Sequence, residues 1–247
     1  MTSQRPKDYV VKTVPTISTL YASTIYINSA HLTTLMRNDA EMAKIDYMSD
    51  DILKKYGQAN NEIWYTSSDG NIVTPYNTSA LPTIVSNTYV AGKGIIKFTT
   101  DVTSIGTNAF VDCTSLTSVM IPNSVTSLGD GAFNSCSGLT SVTIPDSVTS
   151  LGDRVFRNCN GLTSVTIPNS VTSIGYSAFE NCYSLASVII GNSVTIIGSW
   201  TFGFCGRLRN ISYEDTITRW NDITKGDRWN ASVPATVVHC TDGDAPI

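Results

Sequence analysis

Apolar positions along the chain change their spacing three times. Over residues 1 to about 28 they are sparse and roughly alternating, at Val10, Val14, Ile17, Leu20, Ile25 and Ile27 among Ser and Thr, which predicts extended chain or weak strand. From Ser29 they fall at Leu32, Leu35, Met36, Met42, Ile45 and Met48, a helical spacing. A second helix is punctuated by Ser49 at its N-cap, Asp50 and Asp51 in the first turn, Lys54 and Lys55 in the last, and Gly57 to stop it. Strand-like runs follow. Residues 62–66 precede an Asp69-Gly70 turn, so Ile72 and Val73 are expected to begin a hairpin partner. Residues 84–90 and 95–98 form a further apparent hairpin, turned by Gly92-Lys93-Gly94.

From Val102 the pattern becomes periodic. Val102, Val125, Val148, Val171 and Val194 lie 23 residues apart, and Phe110, Phe133, Phe156, Phe179 and Phe202 keep the same step. So do Cys113, Cys136, Cys159, Cys182 and Cys205, and Leu116, Leu139, Leu162, Leu185 and Leu208. A unit of this size cannot bury its own apolar face, so the period predicts a stacked solenoid. Within a coil, Leu116, Val119 and Ile121 have leucine-rich-repeat spacing, and strand alternation sends Val119 and Ile121 inward, Ser118 and Met120 outward. Leu116, Val119, Ile121, Val125, Leu128 and Phe133 are the expected inner ring. Ala132-Phe133 is expected in a short helical turn, and residues 126–129 return the chain with Gly129 at the bend.

The register reaches past the five valines. Ile96 and Phe98 precede Val119 and Ile121 by 23 residues and are expected to form the first coil's strand, giving six strands in all. At the other end Ile211, Tyr213 and Ile217 continue the period, and Trp220 is expected in the place of Leu128. Trp220 and Trp229 would cover the last coil, Val237-Val238 would add a strand, and 241–247 is expected to be a frayed polar tail. The fold class is therefore a repeat solenoid: a β-rich leucine-rich-repeat array of 23-residue coils with a β N-cap, a Trp-containing C-cap and a small helical N-terminal segment. Its divisions are a helical attachment or oligomerisation segment at 1–59, a cap at 60–92, the array at 93–213, and a cap with tail at 214–247.

Composition narrows the partners. Charged residues are 15% of the chain, below the roughly 25% usual in soluble domains, and Ser, Thr and Asn take their place. With a net charge of -4 and no basic stripe, nucleic acid and anionic lipid are poor partners. Residues 1–12 hold no apolar run of signal-peptide length, and nowhere do about 18 apolar residues stand together to insert in a membrane. These features fix no location by themselves; virion or cell-surface display is favoured over cytoplasm. Five of the six cysteines share one repeat position, whose parallel side-chain directions do not suit disulfides; they read as small buried hydrophobes.

Catalytic signatures are missing. His31 and His239 are the two histidines, and no Gly-x-Ser-x-Gly, His-Glu-x-x-His, P-loop or dinucleotide pattern occurs, so no catalytic residue, metal or cofactor is expected. Asp242-Gly243-Asp244 resembles the start of a calcium loop but lacks the later ligands. What remains is surface. Ser118, Ser141, Ser164, Ser187 and Asn210 make one outward column of the strand face, and Met120, Thr143, Thr166, Ile189 and Ser212 another. The departures from repetition are aromatic or cationic, the types favoured in binding hot spots, and Arg154, Arg157, Tyr176, Tyr183, Trp200 and Phe204 are expected to form a contact patch.

The repeated Ser-Val-Thr-Ser-Ile-Gly-x-x-Ala-Phe-x-x-Cys-x-x-Leu-Thr-Ser-Val-x-Ile-Pro closely resembles the BspA-like (Treponema pallidum type) leucine-rich repeat family over about residues 95–213. The flanks resemble it too, at Glu62-Ile-Trp-Tyr-Thr, Trp220-Asn-Asp-Ile and Val237-Val-His-Cys-Thr-Asp-Gly. The resemblance implies adhesion and protein binding at a bacterial surface and carries over no catalytic residue. The expected function is non-enzymatic recognition of a protein or surface glycan of a host or neighbouring cell, with residues 1–59 joining a larger, homo-oligomeric or bacteriophage virion assembly. The alternative is an intracellular scaffold in which the array is a spacer.

Overall fold

The computed structural model describes residues 58–247. The extended stretch and two helices expected before Gln58 lie outside the described residues. Three antiparallel strands begin the described chain: β1 (Glu62–Ser67), β2 (Ile84–Val90) and β3 (Lys93–Phe98). β2 and β3 are joined through Ala91 and Gly92, whose positive φ of 50° and 85° makes the tight two-residue turn that suits strand twist.

Each coil then contributes two strands. The return strands are β4 (Ser104–Ile105), β6 (Ser127–Leu128), β8 (Ser150–Leu151), β10 (Ser173–Ile174), β12 (Ile196–Ile197) and β14 (Thr224–Lys225). They form one six-stranded parallel sheet in coil order. The longer strands are β5 (Leu116–Met120), β7 (Ser141–Thr143), β9 (Ser164–Ile167), β11 (Ser187–Ile190) and β13 (Asn210–Tyr213). Pairing on this side is interrupted between β7 and β9, although both coils read Leu-Thr-Ser-Val-Thr-Ile-Pro; nothing in the structure explains it.

Between the sheets the repeated side chains stack. The five phenylalanines lie ring over ring at 5.3–5.4 Å, and all are buried. Each contributes on the order of 2–3 kcal/mol of burial. Leu116, Val119, Ile121, Val125, Leu128 and Phe133 are buried as the inner ring. Polar groups at the coil corners are consumed between coils. Ser124, Ser147 and Ser170 donate to the carbonyls of Val102, Val125 and Val148 at 2.6–2.7 Å. The buried thiols of Cys136, Cys159, Cys182 and Cys205 donate to Phe carbonyls of the preceding coil at 3.0–3.2 Å. Among the described residues all six cysteines are free. Burial pushes the Cys136, Cys159 and Cys182 thiols well above the ordinary thiol range, and Cys113 up to about 11, so none of these four is a thiolate at neutral pH.

Five local expectations change. Ile72 and Val73 are not strand: β1 pairs with β3 on one side and β5 on the other, so both its edges are taken by distant chain. For the same reason Ile96 and Phe98 do not sit beside Val119 and Ile121. β1 lies between them, placing Tyr65 opposite Val119 and Ile63 opposite Ile96. Ala132-Phe133 lies in successive turns instead of a helical one, because Gly131 and Ser135 take positive φ of 61° and break any run of right-handed residues.

The last coil carries five extra residues. Ile197 pairs with Lys225, a step of 28, because helix α1 (Ile217–Asp222) is inserted after β13. Trp220 therefore does not replace Leu128; it caps the core from that helix, 5.5 Å from Tyr213 and 5.7 Å from Trp229. Finally, residues 241–247 are not frayed. β15 (Val237–Cys240) turns into β16 (Gly243–Pro246), which pairs with it and buries Ala245. Asp242, the first residue of the incomplete calcium-loop pattern, accepts the Ile217 amide at 2.7 Å near the start of α1.

Candidate functional site

Every coil crosses between its sheets through a turn segment with two left-handed residues. One column of them is Asn108, Gly131, Arg154, Ser177, Trp200 and Arg228; the other is Asp112, Ser135, Asn158, Asn181, Phe204 and Ser232. All twelve φ values lie between 53° and 62°. Glycine takes this conformation freely, and Asn and Asp stabilise it locally; a long or aromatic side chain is strained there by roughly 1–2 kcal/mol. Arg154, Trp200, Phe204 and Arg228 are the four exceptions of bulk, and each lies against a ring.

Trp200 and Phe204 stack at 5.5 Å with 20° between their planes. The Arg228 guanidinium lies 5.1 Å from the Trp200 ring centre, and Arg154 lies 5.0 Å from that of Tyr176 in the next coil. Gly203 makes room for this, since a Cβ there would stand 3.0 Å from the Trp200 ring. At the same exposed edge, Asp153 Oδ1 accepts the Tyr176 amide at 2.8 Å, fixing the base of that ring.

The six residues singled out in the sequence are thus divided. Arg154 with Tyr176, and Trp200 with Phe204, are brought together as two couples. Arg157 is engaged in an ion pair with Glu180 at 2.7 Å and is two-thirds covered, so it braces neighbouring coils. Tyr183 is 53% exposed and forms no ring contact with the others. Sequence reasoning missed Arg228, because the insertion shifts its register by five residues. The signal was present: Lys225-Gly226-Asp227-Arg228 parallels Ile197-Gly198-Ser199-Trp200. Gly203 was missed as an ordinary glycine.

His239 and Asp244 meet at 2.8 Å on the exposed closing hairpin. Among the described residues no group of three or more His, Cys, Asp or Glu side chains is placed to hold a metal. No helix there is long and apolar enough to cross a membrane.

The repeat spacing, the paired parallel strands and the Phe and Cys columns define a leucine-rich-repeat solenoid. The family model described as the BspA type leucine rich repeat region matches six copies over residues 95–224, and the chain belongs to that family. Among solved structures, a leucine rich cell surface protein from Faecalibacterium prausnitzii is 38% identical, with a TM-score of 0.49 over 51% of this chain and 33% of its own. The Treponema pallidum leucine rich repeat protein is 28% identical, with a TM-score of 0.45 over 53% of this chain and 64% of its own. The pneumococcal vaccine antigen PcpA shares the fold at 19% identity, with a TM-score of 0.50 over 70% of this chain and 44% of its own. The chain therefore spans less than two thirds of each of these proteins. No curated protein matches it.

Proposed function

We propose that this is a non-enzymatic recognition or adhesion protein: the array displays a surface to a protein or glycan of a host or neighbouring cell, and residues 1–59 anchor it to a larger assembly. The observation that carries the reading is the set of bulky side chains at left-handed positions. Backbone strain of this kind clusters at functional sites, and the other coils show that Asn, Gly or Ser serves the turn itself. Family membership supports it. The bearer is a cell surface or, in the finer form of the reading, a bacteriophage particle, and probing purified particles and cell-surface fractions for the chain separates the two.

The direct test is attachment of the labelled full chain to cells. Replacing Tyr176 and Trp200 by Ala should reduce attachment about tenfold or more, the loss expected of a hot-spot pair. Attachment that survives this double substitution but vanishes on removal of residues 1–59 would instead support the scaffold reading, with the array as spacer.

A further inference from the structure

Resting on that recognition reading, the chemistry of the partner follows from what the edge offers and what it lacks. Arg154 and Arg228 form no ion pair among the described residues, where Arg157 and Arg219 take Glu180 and Asp215. Each lies over an aromatic ring, at 5.0 and 5.1 Å. Stacking occupies the face of a guanidinium and leaves N–H donors at its rim, in the geometry that grips a carboxylate by two parallel hydrogen bonds. From Arg154 through Ser177 and Trp200 to Arg228 is three coil steps, a strip of about 15 Å at the spacing of neighbouring strands.

Apolar area along this strip is small. The array's exposed large apolar side chains are Tyr176, Tyr183, Ile189, Ile196 and Phe204, but Ile189 belongs to β11 and Ile196 to the return sheet. Three separated rings do not make the contiguous apolar core found at the centre of a stable protein interface. Flat rings and guanidinium rims instead suit a chain of sugar rings, whose C–H faces stack on aromatics while their hydroxyls remain solvated.

We infer that this edge binds an extended oligosaccharide bearing carboxylates, with Tyr176 and Phe204 beneath the sugar faces, Trp200 bracing Phe204 and Arg228 from below, and Arg154 and Arg228 on the carboxylates. The repeat itself supplies replacements that keep the backbone. Asn stands in the Trp200 column at Asn108 and in the Phe204 column at Asn158 and Asn181, and Gly stands in the Arg154 column at Gly131. The paired variants Trp200→Asn with Phe204→Asn, and Arg154→Gly with Arg228→Asn, should retain the melting temperature of the parent.

The test is calorimetric titration of the full chain with a galacturonate hexasaccharide and a sialylated oligosaccharide, each beside its carboxyl-reduced form. At least one carboxylated probe should bind, and carboxyl reduction or either paired variant should weaken it by about tenfold or more. If no carboxylated probe binds while cell attachment is lost in both variants, the partner is a protein: the inference is overturned and the recognition reading stands. If attachment survives both variants, the edge is not the site and the inference is again overturned. A parent chain that attaches to no surface would overturn the recognition reading as well.

Discussion

At the scale of single residues, the left-handed columns separate what the turn requires from what has been added to it. Ser177 is the instructive case. It holds φ at 53°, is fully buried, and its hydroxyl has no hydrogen-bond partner. Its left-handed strain of about 1–2 kcal/mol and a buried, unpaired hydroxyl worth about 1–3 kcal/mol both disfavour serine there, against the roughly 0.5–1 kcal/mol that glycine's extra freedom in the unfolded chain costs. Ser177→Gly, which copies Gly131, should therefore raise stability by about 1–4 kcal/mol, read as a higher urea midpoint at unchanged slope. An unchanged or lowered midpoint would mean that the hydroxyl has a partner in solution. Trp200 and Phe204 depart from the same rule in the opposite sense, since their rings leave the backbone and gain contacts with one another and with Arg228.

At the scale of elements, coils nest because each return strand ends on a glycine. A Cβ at Gly175 would lie 2.5 Å from the Gly152 carbonyl carbon and 2.6 Å from the Asp153 amide, both backbone atoms that cannot turn aside. Gly175→Ala should therefore destabilise the array by about 2–4 kcal/mol, where the same change at an ordinary helix or strand glycine stabilises by roughly 0.5–1 kcal/mol, as measured by the same urea titration. The backbone separation that makes the glycine necessary also brings the Phe rings to stacking distance and the thiols to the preceding carbonyls. The five cysteines were read as small hydrophobes, and the structure adds a polar role: four thiols complete a hydrogen bond between coils.

At the scale of the whole molecule, a stack whose units touch only their neighbours is weakest at its ends, and both ends are closed by non-repeating chain. At the C-terminal end Trp220 packs on Tyr213 and Trp229, and Lys225 donates to its carbonyl at 2.6 Å. Removing this side chain with Trp220→Ala should cost about 3–5 kcal/mol, and the loss should be local. Hydrogen exchange should quicken around β12 and β13 well before it quickens around β5 and β6. Uniform acceleration along the array would mean instead that the coils unfold as one cooperative unit.

The sequence by itself determined the period, the inner ring, the return bend and the aromatic and cationic departures, because a repeat repeats its environment: one unit's alternation, read five times, leaves a single register. Tertiary structure alone decided what happens where repetition stops. The place beside β5 went to β1 rather than β3, since an antiparallel strand from elsewhere in the chain satisfies the open edge as well as a sixth coil would. The insertion of α1 displaced the register and so hid Arg228, and β16 ordered a tail whose composition is polar, because pairing with β15 depends on an edge that only the assembled sheet presents. The candidate site shares this divided origin. Its aromatic members could be seen as exceptions to a pattern, but the left-handed backbone of Trp200 and Phe204, and the guanidinium groups laid against Tyr176 and Trp200, are visible only once neighbouring coils are stacked.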